Sequence, residues 1–100
     1  MDDLMDFDIQ PCDYQVIAEG FDNEGKEIGD AVIFHHEEDP DLAVQKAKEL
    51  LNSLRCLASS GCDIWNGKKY SRVEVRVETV IFLDGEEQCE GAIYRNNIMK

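Results

Sequence analysis

Residues Arg72-Val73-Glu74-Val75-Arg76-Val77-Glu78 alternate without a break between valine and charge. Alternate residues of a strand point to opposite faces, so this stretch is a β-strand with one apolar and one charged face. The run continues as Thr79-Val80-Ile81-Phe82-Leu83, where both faces turn apolar. A half-exposed strand thus becomes one covered on both sides. On the charged face Arg72, Glu74, Arg76 and Glu78 alternate in sign, which reads as cross-strand salt pairing.

Downstream, Asp84-Gly85 is a hairpin turn leading into Cys89-Glu90-Gly91-Ala92-Ile93-Tyr94. A two-residue loop pairs Ile81 with Gln88 and Val77 with Ala92. A three-residue loop pairs Ile81 with Cys89 and Val77 with Ile93, burying more apolar area on the valine face, and is the expected register. Asn96 to Lys100 reads as a short tail.

Upstream of the valine strand lies a loop, residues 61–71, whose Asn66-Gly67 pair marks a tight turn. Before it comes a helix over residues 40–59. Asp39 is its N-cap, Pro40 suits the first helical position, and Asp41 suits the positive end of the dipole. Ala43, Ala47, Leu50, Leu51, Leu54, Leu57 and Ala58 follow the spacing of one face, and Gly61 is the stop. Residues 13–21 and 28–36 are strand-like and flank the turn Asp22-Asn23-Glu24-Gly25.

The order is β-β-α-β-β. It predicts a single α+β domain over residues 13–100, a four-stranded and mostly antiparallel sheet with one helix packed on one face. Residues 1–12 form an acidic N-terminal segment. One helix covers one face only, with Leu50, Leu51 and Leu54 against Val75 and Val77. Ile17, Phe21, Val80 and Phe82 point to the other side, which needs a cover. The candidates are the segment carrying Leu4, Phe7 and Ile9, or a second copy of the chain.

Charge is unevenly distributed. Residues 1–41 carry fourteen acids and one base, Lys26, whereas residues 42–100 are close to neutral; the net charge is −12. Such a field repels nucleic acid and anionic membrane and attracts basic surfaces. The patch Lys68, Lys69, Arg72 and Arg76 near Trp65 and Tyr70 has the composition of a stacking site. The total field opposes that use, because phosphate neutralisation dominates such affinity. The acidic start lacks the basic and apolar regions of a signal peptide, and no run approaches a membrane span, so a cytoplasmic location is expected.

No catalytic motif is present and no cofactor is expected. His35-His36-Glu37-Glu38-Asp39 is the one cluster of ligand-type residues, but adjacent strand residues face opposite ways and cannot easily share one ion. Cys12, Cys56, Cys62 and Cys89 lack paired spacing and read as small buried hydrophobes, with Cys62 the best reactive candidate. The expected function is that of a small acidic, non-enzymatic interaction protein. It binds a basic protein surface as a nucleic-acid mimic or masking inhibitor, as a monomer or weak homodimer. Asp22, Glu24, Glu27 and Asp30 on the first hairpin supply the charge. Trp65, Phe21 and Phe82 supply apolar contact, although Trp65 more naturally caps the core. The alternatives are a self-associating accessory domain using the uncovered sheet face and, last, a thiol- or metal-dependent enzyme.

Overall fold

The computed structural model describes residues 11–65, 67–83 and 85–99, with the side chains of residues 11, 12, 82, 83 and 90 outside that description. The order is β1 Pro11–Phe21, β2 Glu27–Glu37, α1 Pro40–Ser59, β3 Arg72–Leu83 and β4 Glu86–Met99. The sheet order is β2-β1-β3-β4, with every neighbouring pair antiparallel. β2 and β3 therefore run parallel on either side of β1, and α1 is the crossover between them. The expected α+β fold, one helix on a four-stranded sheet, is the fold observed.

Local chemistry fixes the connections. Asp22 closes the first turn: its Oδ1 accepts from the backbone N–H of Glu24 and of Lys26, each at 2.9 Å, and Gly25 takes φ 82°. Asp39 caps α1, its Oδ1 accepting from Asp41 N at 2.8 Å and Leu42 N at 3.4 Å. The helix ends in a Schellman arrangement, with Cys62 N donating to Leu57 O and Gly61 N to Ala58 O. Gly61 supplies the left-handed residue that this geometry requires, φ 82°.

The core lies between α1 and the valine face. β1 and β3 pair Val16 with Val77, Ala18 with Val75 and Gly20 with Val73, so one stripe runs across both central strands. Ala43, Ala47, Leu51 and Leu54 of α1 join it, as do Trp65 and Ile98. Leu50 is half-buried against this core, but Leu57 is 47% exposed, so the helix face is narrower than its spacing implied. Trp65 caps the core end. Its indole N–H donates to Ile28 O at 3.2 Å, and the ring lies on Gly20, where an added Cβ would come 2.5 Å from Nε1.

Three expectations need correction. β4 does not stop before Asn96: it runs to Met99, because the start of β3 needs a partner and Ile98, opposite Val73, completes the core. The β3–β4 connection is a two-residue loop, since Leu83 pairs with Glu86 and Ile81 with Gln88. Two bulges in β4, at Glu90 and Ile93, then bring Tyr94 rather than Ala92 or Ile93 opposite Val77. A large half-buried side chain thus meets the core, while Ile93 is left exposed. Third, the described cysteine side chains, Cys56, Cys62 and Cys89, are exposed free thiols rather than buried hydrophobes.

Part of the face away from the helix is shielded from water. Ile17 and Val80 are 5% and 1% exposed, and Phe21 is half-buried with the Arg72 guanidinium 4.0 Å over its ring. The proposed cover by Leu4, Phe7 and Ile9 and the side chain of Phe82 lie outside the described residues.

Two substitutions test this core. Leu54→Ala should cost about 2–5 kcal/mol in a urea melt. Gly20→Ala should cost about 1–3 kcal/mol, because the new methyl displaces an indole bounded by core side chains. Trp65 is the one tryptophan in the chain, so its emission reports the second change directly. An unshifted spectrum with unchanged stability would refute the close approach.

Candidate functional site

Two charged regions with different physics lie on the sheet. The first is a partly buried network on the open face of the sheet. The register that stacks the valines also places Glu19 directly opposite Glu74, and Ile17 opposite Arg76. Two facing carboxylates repel unless a cation bridges them. Arg76 does so: its Nη1 donates to Glu19 Oε1 at 2.9 Å and to Glu74 Oε1 at 3.0 Å, and its Nε pairs with Glu78. Burial opposes the charge on Arg76, yet these carboxylates hold it more firmly protonated than a free guanidinium. Arg95 and Arg72 also approach Glu74, at 3.3 and 3.7 Å. The charge alternation in β3 is therefore a structural ion network.

Glu27 joins this network from β2. A hydrogen bond with Glu19, then repulsion from the same carboxylate, raises the Glu27 carboxyl above its ordinary value. A raised folded value means that this stabilising contact is present at low pH and fades as pH rises through the carboxylate range. Glu37 moves the other way. Hydrogen bonds from His35 and from Asp39 N hold it below the usual range, so its contribution is lost as pH falls.

The second region is the outer part of β2. This edge strand exposes Val32, Ile33 and Phe34, each about half. On the helix side, Ile28, Val32 and Phe34 meet Ile64 and Trp65 around a groove of about 220 Å³, with Asp30 and Lys68 on its rim. Acids stand at both ends of the exposed stretch: Asp22, Glu24, Glu27 and Asp30 before it, and Glu37, Glu38, Asp39 and Asp41 after it. β2 is also irregular. Its pairing with β1 shifts register twice, and Gly29 adopts φ 72°. Such bulges twist an edge away from flat pairing with another strand.

The four hairpin acids are thus not equivalent. Glu24, Glu27 and Asp30 are exposed, Glu27 with its carboxyl raised by the neighbouring Glu19, whereas Asp22 closes the turn. Trp65 is buried and its N–H is engaged, but its ring still floors the β2 groove. Phe21 belongs to the open face with Arg72. The apolar exposure missed by sequence reading is Val32–Phe34. Their β-rich run was visible, but that β2 is an edge strand was not.

The histidines are accounted for locally. His36 Nδ1 lies 2.6 Å from Asp13 Oδ2, and His35 Nε2 lies 3.2 Å from Glu37 Oε1. Among the described residues no three His, Cys, Asp or Glu side chains are grouped to hold a metal ion. No described helix is long and apolar enough to cross a membrane. Cys62 lines a cleft with Arg55, Lys68 and Lys69, and neither histidine reaches it. The basic and aromatic patch of the sequence reading is thereby split, with Lys68, Lys69 and Tyr70 in this cleft and Arg72 and Arg76 in the ion network. No family model matches this chain, and neither does a curated protein or a solved structure.

Arg76→Met should cost about 3–5 kcal/mol, since Glu19 would stay buried with its charge uncompensated and Glu74 would keep only its contacts with Arg95 and Arg72. A urea melt checks this. Unchanged stability would contradict the network's role.

Proposed function

We propose that this chain is a non-enzymatic interaction protein that takes a basic protein surface on β2, with an apolar side chain of the partner seated in the groove beside Trp65. The observation that carries this reading is the arrangement along β2, an exposed apolar centre with carboxylates at both ends. An apolar anchor in a pocket supplies affinity, and the surrounding charge sets encounter rate and partner sign. The groove has room for one such side chain. The partner is therefore cationic, and masking of a nucleic-acid-binding surface is the specific form this reading takes. The exposed thiols of Cys56, Cys62 and Cys89 suit a reducing compartment such as the cytoplasm.

A second reading, self-association through β2, draws on the same exposed Val32–Phe34. The bulges in β2 and the acids at both its ends oppose it. Sedimentation of the full chain separates the two: the proposed function expects a monomer, and a dimer broken by Phe34→Ser supports the second reading.

Binding is tested with two synthetic probes, a lysine-rich peptide with a central leucine and the same peptide with serine there. The leucine peptide should bind more tightly, and its affinity should fall as salt rises. Glu24→Gln with Asp30→Asn should weaken it severalfold, chiefly through the association rate. Phe34→Ser should remove the preference for leucine. Indifference to salt, to the acids and to Phe34 would refute the proposal. Asp22 is left unchanged because it closes the turn, and Glu27 because its carboxyl is raised by Glu19.

A further inference from the structure

At the far end of α1 the sign of the surface reverses. A cleft of about 850 Å³ opens between the helix end, the 61–70 loop and the last residues of β4. Arg55, Lys68 and Lys69 line it, three of the ten bases in a chain of net charge −12. Among the described residues its one lining acid is Asp63, which is committed to the loop: Oδ1 accepts from Trp65 N at 3.0 Å and Oδ2 from Gly67 N. Among the described residues, Arg55 gives one hydrogen bond, from Nη2 to Asn97 O at 3.3 Å. Lys68 and Lys69 form no ion pair among the described residues. Ala58, Tyr70, Ile98 and Met99 supply apolar wall.

We propose that this cleft binds a small organic anion, a phosphate or carboxylate joined to an apolar group. Arg55 and Lys69 line this cavity, Lys68 lies between it and the β2 groove with its Nζ beside Gly29, and the apolar wall offers contact that a bare ion cannot use. Acids farther than roughly 10 Å do not cancel this local charge, because salt at about 0.1 M screens them. The simpler account is that the bases only offset the negative end of α1, whose last turn carries no base of its own. The two accounts differ in net potential: offset leaves the cleft near neutral, whereas an anion site leaves it positive.

Cys62 is an exposed thiol on the cleft wall and reports that potential. Iodoacetate and iodoacetamide are attacked by the same thiolate with loss of iodide, one reagent being an anion and the other neutral. Their rate ratio at a given cysteine therefore cancels its thiolate fraction and leaves the local field. Cys56 and Cys89, exposed but not lining the cleft, are references in the same molecule. Mass spectrometry of the full chain after timed alkylation should give a ratio at Cys62 about tenfold above theirs at low salt. The excess should vanish near 1 M salt and in Lys68→Gln with Lys69→Gln. Phenyl phosphate should protect Cys62 at lower concentration than inorganic phosphate. A wild-type ratio at Cys62 no higher than at the references, or equal protection by the two phosphates, overturns the proposal.

Discussion

The rest of the structure depends on the register between β1 and β3. With Val16 on Val77, Ala18 on Val75 and Gly20 on Val73, one face of the two central strands is apolar and receives α1. The same register puts Glu19 opposite Glu74 on the other face, where Arg76 joins them. A slip of one residue would carry glutamates under the helix and leave valines with the arginine. Apolar burial and ion pairing therefore specify the same alignment. Gly20 adds a third constraint, because only a residue without Cβ leaves room for the Trp65 indole.

The acids divide by what they touch. Asp22, Asp39 and Asp63 accept backbone N–H groups and close two loops and a helix start. Glu19, Glu74 and Glu78 hold Arg76. These groups are part of the fold and are poor candidates for recognition, since a partner would have to compete with bonds already formed. Glu24 and Asp30 are exposed without such bonds among the described residues, and Asp30 lies on the rim of the β2 groove. A net charge read as one field thus resolves into structural and available parts.

Both edge strands depart from regular pairing. β2 shifts register twice against β1, and β4 shifts twice against β3. In β4 the bulges turn Tyr94 to the core and leave Ile93 outside. In β2 they interrupt the strand that exposes Val32, Ile33 and Phe34. Twisted edges discourage sheet extension by another chain, so the apolar centre of β2 is better presented as a groove than as a template for strand addition. That distinction is what makes a partner with a projecting side chain the natural occupant.

Local chemistry in the sequence determined the elements. The strict alternation of residues 72–78, the Asp39-Pro40 start, the Gly61 stop and the Asp22–Gly25 turn each act over a few residues, and each appears where expected. The charge asymmetry was equally legible, because it is composition. Tertiary structure alone decided which strands are central. That choice buried Ile17, stacked Arg72 on Phe21, exposed Val32–Phe34 and separated Arg72 and Arg76 from Lys68 and Lys69. It also decided the bulges of β4 and the extension of that strand to Met99, where Ile98 fills the core. These outcomes depend on contacts between residues far apart in the chain. Periodicity tells which residues share a face, but not which neighbour, or how much water, that face will meet.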